Sequence, residues 1–138
     1  SRITGGLGNQ MFQYSIAKAV ALKNNDYFKL DLFFYPTQDL RKYELSLFNI
    51  EENIISNEEL QNIVGSHSIF SKIFKKFGLN KAYFIEKEIV AFDSNVFNNA
   101  KNKYLIGYWQ NEKYFKDIRS EILNCFKSKD KISFEANY

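Results

Sequence analysis

Arg2-Ile3-Thr4, then Gly5-Gly6-Leu7-Gly8, then Asn9-Gln10-Met11-Phe12-Gln13-Tyr14: the reading of these opening residues decides the fold class. Arg2 to Thr4 reads as the end of a strand, and the glycines as a loop. Asn9 can then cap a helix, its side-chain oxygen accepting from backbone N–H groups two or three residues ahead. Met11, Tyr14, Ile16, Ala17, Ala19, Val20 and Leu22 continue with a mainly apolar helical pattern. The helix is expected to end near Asn24-Asn25-Asp26, a turn cluster, and Tyr27-Phe28-Lys29-Leu30-Asp31-Leu32 reads as a second strand. Strand, glycine loop, helix and strand open a βαβ unit, so the two strands are expected to be parallel with a right-handed crossover. This is the α/β class.

Working outward, the only proline, Pro36, biases Tyr35 towards an extended conformation, so the second strand gives way to loop there. Residues 43–50 read as strand or loop. Ser56-Asn57-Glu58-Glu59 reads as a capped helix start leading into Leu60, Ile63 and Val64. Residues 68–77 carry apolar side chains at the 3-4 spacing of an amphipathic helix, with Lys72, Lys75 and Lys76 on the polar side and Gly78 just past its end. Residues 82–85 and 103–109 read as strands, and a long helix is expected from about Asn111 through Tyr114, Phe115, Ile118, Ile122 and Phe126.

A chain of 138 residues suits one domain, since domains run to roughly 100–200 residues. Its 45% hydrophobic and 25% charged content is that of a globular protein with enough apolar mass for a core. The 14 Phe and 9 Tyr are scattered singly among Lys and Asn, which reads as core packing and not as a nucleic-acid stacking platform. The net charge of +3 permits attraction to an anionic nucleotide without demanding a nucleic acid or a membrane. The single cysteine, Cys125, lies in a helical pattern as a small hydrophobe and excludes an internal disulfide. One cysteine and no apolar run near the roughly 20 residues that span a bilayer fit a soluble, cytoplasmic protein. Ser1 to Thr4 reads as the tail of a strand and Ala136-Asn137-Tyr138 stops without a turn or cap signal, so both ends read as cuts.

The chemistry concentrates at the glycine loop. Glycines let backbone N–H groups approach a ligand, and the helix amino terminus adds partial positive charge, so a diphosphate is a natural occupant. The dinucleotide fingerprint is absent, because Met11 stands where its third glycine would be; no Walker-type G-K-[ST] follows either. Asn9 and Gln10, with Gln13 one turn below, carry amides that both donate and accept, which suits sugar hydroxyls and phosphate oxygens. Equally, Asn9 can be a cap, and Gln10 and Gln13 surface residues. Gln110, Asn111 and Glu112 follow a strand and open a helix, where open α/β sheets place ligands. Trp109 or Tyr108 can stack on a sugar ring, with core packing of Trp109 and capping by Asn111 the plainer reading. Asp31 also ends a strand, and the sole histidine, His67, reads as a loop residue.

The run Gly5-Gly6-Leu7-Gly8-Asn9-Gln10-Met11-Phe12-Gln13-Tyr14 resembles the opening motif of the family-11 bacterial α-1,2-fucosyltransferases. Leu30-Asp31-Leu32-Phe33-Phe34-Tyr35, Tyr43-Glu44-Leu45 with Phe48-Asn49-Ile50, and Gly107 through Phe115 follow in that family's order. The resemblance implies a Rossmann-like parallel sheet with helices on both faces, forming one half of a two-domain GT-B-type glycosyltransferase. Residues 1–138 would be the amino-terminal domain, the carboxy-terminal donor-binding part being absent. It implies transfer of fucose from GDP-fucose, with inversion, to the 2-hydroxyl of a galactoside acceptor glycan in surface glycan synthesis. No cofactor or metal is implied, no nucleic acid, and at most peripheral association with the inner membrane. The family's H-x-R-[R]-G-D motif, whose arginine serves the donor diphosphate, has no match here, so the chain alone is expected to be inactive. Its exposed interdomain face would then be open to self-association. Substrate contacts are expected from Gly6, Leu7, Gly8, Asn9, Gln10, Gln13, Trp109 and Gln110. Two other readings stand beside this one: a non-catalytic nucleotide- or sugar-binding module, and a fucosyltransferase of different linkage.

Overall fold

The computed structural model describes residues 1–37, 39–64, 83–98 and 102–129. The expected helix over residues 68–77, Gly78 and His67 lie outside the described residues. A set of short parallel segments carries the fold. Strand β1 (Tyr83–Ile85) pairs in parallel with β2 (Tyr104–Ile106), Phe84 opposite Leu105. The sheet continues through single bridges. Arg2 N–H donates to the Leu105 carbonyl at 3.0 Å, Arg2 bridges Asp31 in parallel, and Leu30 bridges Ile54 in parallel. Across the sheet the order is therefore β1, β2, the Arg2 segment, the Leu30–Asp31 segment and Ile54. The chain steps outward in one direction for its first segments and then crosses to the other side of the Arg2 segment. The topological switch point lies between that segment and β2, as in doubly wound α/β sheets.

Helix α1 (Leu7–Lys23) crosses over from the first segment to the second. Its buried residues run almost all round it, from Gln10 and Gln13 to Ile16, Val20 and Ala21, so it is a central helix and not an amphipathic one on the surface. Successive strand residues point to opposite faces, and the packing follows that alternation. Ile3, Leu30 and Leu105 join Tyr14, Ile16 and Val20 of α1, whereas Tyr104 joins Leu60 and Val64 of α2 (Asn57–Val64). Helices thus cover both faces of the parallel sheet. Tyr14 is fully buried, its ring edge-on to Phe28 and Phe126 at 5.3 and 5.7 Å. A buried side chain of this kind stabilises the fold by about 1.5–3 kcal/mol.

The start of α2 is the capping box its sequence announces. Ser56 Oγ accepts from Glu59 N–H at 3.2 Å, and a Glu59 carboxylate oxygen accepts from Ser56 N–H at 3.0 Å. Elsewhere the structure corrects the sequence reading. The strands are shorter: of residues 103–109 only Tyr104–Ile106 form a strand, and of residues 27–32 only Leu30 and Asp31 make bridges. Tyr35 and Pro36 lie in a single 3-10 turn, Tyr35–Thr37. Residues 112–126 do not form one helix. They break into 3-10 turns at Glu112–Tyr114 and Lys116–Ile118, and then α3 (Arg119–Cys125). Tertiary contacts cause the break. Tyr114 is buried against Trp109, its hydroxyl donates to the Ala91 carbonyl and accepts from Asp93 N–H, and the next residue, Phe115, is forced to φ −138°. Asn111 does cap the first of these turns, accepting from Lys113 N–H at 3.0 Å. Cys125 packs in the core beside Tyr14 and Phe126.

Candidate functional site at the glycine loop

Thr4 ends the first segment and the chain turns sharply at Gly5, whose φ of +77° is left-handed. A Cβ here would also lie 2.7 Å from Asn9 Nδ2, so both conformation and space require glycine. Gly6, extended, is the residue before α1 and has no side chain to cap it. Neither a side-chain cap nor an acidic residue occupies the first turn. The first intrahelical bond is Gln10 N–H to the Gly6 carbonyl at 3.1 Å. Among the described residues, no side-chain cap and no first-turn carboxylate offsets the partial positive charge of the helix start. Gly8 sits exposed in the first turn with nothing within 4 Å of where a Cβ would be. Glycine in a helix costs about 0.5–1 kcal/mol relative to alanine, and among the described residues no contact explains it.

Guanidinium groups approach this loop. Arg41 lies over Gly6, its Nη1 3.7 Å from the position a Cβ would take. Arg2 stacks over the Phe34 ring at 5.8 Å and, among the described residues, makes no ion pair. Tyr35 donates its hydroxyl proton to the Gly5 carbonyl at 3.0 Å. Burial, reinforced by the charge of Glu44, pushes that phenol up to about 12, so it remains a neutral donor. Beside the loop is a crevice of about 360 Å³ lined by Arg2, Thr4, Gly5, Phe34, Ile106, Gly107 and Tyr108. It opens at the carboxyl ends of the Arg2 segment and β2, the switch point where open α/β sheets bind ligands. A larger hollow, of about 520 Å³, lies at the opposite ends of the same segments, near Lys29, Asn62 and Lys103. Its volume is greater, but its position is not the one at which such sheets bind.

The expected site residues divide sharply. Gly6, Gly8, Asn9 and Gln110 gather at the mouth of α1, where Gln110 Nε2 donates to Asn9 Oδ1 at 2.8 Å. Asn9 is not the cap, because α1 begins at Leu7, two residues earlier. Leu7 packs into the core beside Ile3 and Tyr14. Gln10 and Gln13 are buried, and their amides are committed to the chain itself. Gln10 donates to the Gly5 and Lys42 carbonyls and accepts from Glu44 N–H, tying the loop to residues 42–44. Gln13 accepts from Thr4 N–H at 2.8 Å and donates to Thr4 Oγ1 at 3.2 Å and to the Gly107 carbonyl at 2.9 Å. Both glutamines brace the site and do not line it. Trp109 is fully buried against Tyr114 and Phe84, so it cannot stack on a sugar, whereas Tyr108 is 40% exposed on the crevice. Asp31 is also internal, accepting from Phe33 N–H and from the Tyr104 hydroxyl.

Sequence reasoning passed over Glu86. Its carboxylate accepts from Tyr108 N–H at 2.7 Å and Trp109 N–H at 3.0 Å, holding the turn after β2. Trp109 there has φ +59°, left-handed, which costs a side chain of this kind about 1–2 kcal/mol, and its indole N–H is buried without a partner among the described residues. A Cβ on Gly107 would lie 2.5 Å from Glu86 Cβ and 3.0 Å from Trp109 Cε2. No local motif could reveal this, since the partners are 22 and 23 residues apart. Arg41 had no signal beyond its charge.

The fold and the crevice define an α/β chain with a glycine loop and an uncapped helix start at its switch point. The comparisons with known proteins narrow this further. The chain is similar to an alpha-1,2-colitosyltransferase of Escherichia coli, 29% identical over 129 residues covering 91% of this chain and 43% of that protein. It is also similar to the O-antigen biosynthesis glycosyltransferase WbnK of Escherichia coli, 32% identical over 149 residues, with 92% and 47% covered. Both relatives are bacterial glycosyltransferases, and the chain spans about half the length of each. No family model matches the chain, and no solved structure matches it. Among the described residues, no helix is long and apolar enough to cross a membrane.

Proposed function

We propose that the protein to which these residues belong is a glycosyltransferase of bacterial surface-glycan synthesis, in which this chain forms one wall of the substrate cleft. The observation that carries the reading is the uncapped start of α1 behind Gly5 and Gly6, with Arg41 over the loop. An anionic sugar nucleotide is the substrate class such a surface attracts. The two relatives support transferase chemistry, and the name of the first supports an α-1,2 linkage. The finer reading is transfer of fucose, or the related colitose, from a GDP-linked donor to the 2-hydroxyl of a galactoside with inversion. In that step the hydroxyl oxygen forms a bond to the anomeric carbon and gives up its proton to a base. The bond from that carbon to the diphosphate oxygen breaks, and GDP leaves with the electron pair. Donors aimed at the departing diphosphate stabilise the developing charge. The α1 N–H groups and Arg41 are suited to that task, with Tyr108 facing the sugar. The donor's nucleoside is assigned to the rest of the protein, so these 138 residues alone are expected not to turn over. The test is an assay of the whole protein with GDP-fucose and GDP-colitose on a β-galactoside, with the product linkage read by NMR. Transfer to the 2-hydroxyl from either donor is expected; no transfer from both would overturn the reading.

A further inference from the structure

We infer that Glu86 is a positioning residue for the crevice. Its carboxylate clamps the turn over residues 107–110 in a left-handed conformation and so seats Gln110 against Asn9 at the first turn of α1. Glu86 is itself fixed, because it follows β1 directly and its N–H donates to the Ile106 carbonyl at 2.9 Å. From there the side chain crosses to the neighbouring strand's end and receives two consecutive N–H groups, Tyr108 and Trp109. The two N–H groups belong to consecutive peptide units and meet the two oxygens of one carboxylate, Tyr108 N–H on Oε2 and Trp109 N–H on Oε1, and the chain then passes through Trp109 at φ +59°. Gly107 makes room for the clamp, since a Cβ would come within 2.7 Å of Glu86 Oε2. The turn has ligand-facing consequences at each end. Tyr108, half exposed, lines the crevice, and Gln110 Nε2 meets Asn9 Oδ1. Gln13 holds the same turn from below through the Gly107 carbonyl. Without the carboxylate, the strained Trp109 backbone loses two of the hydrogen bonds that hold it and relaxes towards negative φ, which swings Gln110 away from the glycine loop.

The role in substrate binding rests on the crevice being the glycosyl-transfer site, so the test separates the two. Trp109 is the only tryptophan of the chain, and intrinsic fluorescence of the 138-residue chain therefore reports on this turn. Glu86→Gln keeps the shape but can accept only one of the two N–H groups; Gly107→Ala displaces the carboxylate by a different route. Both are expected to shift the Trp109 emission to the red and to raise acrylamide quenching about twofold or more, with far-UV circular dichroism retained, while Glu88→Gln on the neighbouring loop changes neither. Unchanged emission and quenching in the folded Glu86→Gln and Gly107→Ala chains would refute the clamp. In the whole protein, Glu86→Gln is expected to raise a substrate KM about tenfold with kcat changed less than twofold, the size expected when hydrogen bonds to a charged group are lost. A red shift with unchanged KM would leave a structural clamp and overturn the positioning role. A wild-type protein with no transferase activity would sink the functional reading and the positioning role together, while the fluorescence result would still decide the clamp.

Discussion

Replacing Gln13 with leucine separates a brace from a ligand contact. The amide makes three hydrogen bonds within the chain, to Thr4 N–H, Thr4 Oγ1 and the Gly107 carbonyl, from a position only 1% exposed. Leucine of similar size removes all of them. The threonine hydroxyl can rotate to another acceptor, but the Thr4 N–H and the Gly107 carbonyl are left unpaired, at about 1–3 kcal/mol each. The extra apolar burial returns about 1 kcal/mol, so the net loss is about 3 kcal/mol. Unfolding entropy near 2.1 cal/mol/K per residue gives about 0.29 kcal/mol/K for 138 residues. The melting midpoint should therefore fall by about 10 °C in differential scanning calorimetry. Gln13→Glu should be no better, because a carboxylate oxygen would then face the Gly107 carbonyl. A midpoint within about 3 °C of wild type, together with lost nucleotide binding, would refute this account and return Gln13 to the substrate surface.

Other consequences follow at neighbouring points of the fold. Ser56→Ala opens the capping box of α2 and should cost about 1 kcal/mol, read from denaturant midpoints at constant slope. The Glu59 carboxyl is held down to about 2, chiefly by the hydrogen bond from Lys29 and then by Ser56 N–H. A depressed carboxyl contributes stability that is complete above its ordinary value of 4.5 and lost as pH falls through about 2. An NMR titration of Glu59 should show this midpoint, and Lys29→Met should move it up towards 4.5; no movement would mean the lysine is not the cause. Gly5→Ala should destabilise by at least about 1 kcal/mol, since φ +77° and the Asn9 contact both oppose a Cβ. Gly8→Ala meets open space and should raise thermal stability slightly. If the first turn of α1 is a ligand surface, the same substitution weakens GDP-sugar binding in calorimetry.

The α/β class and the glycine loop ahead of α1 were legible in the sequence because their signals are local. A strand end, a glycine loop, an apolar helix and a second strand succeed one another within the first 32 residues, and each speaks through its own composition. The capping box at Ser56 and Glu59 is of the same kind, two side chains three residues apart whose partners are each other's backbones. What the tertiary structure decided is where the amides point and where helices stop. Gln10 and Gln13 look like ligand groups because an amide suits a sugar as well as it suits a peptide. Only the burial of α1 on nearly every side turns them inward to the backbone of residues 4–5, 42–44 and 107. The segment after Asn111 has a helical pattern, but Tyr114 is anchored from residues 91 and 93 and breaks it. Glu86 has no signature at all, because its meaning is two N–H groups on the neighbouring strand. Local spacing determined the loop and the helix behind it, whereas contacts between residues far apart in the chain determined which side chains turn inward to the backbone.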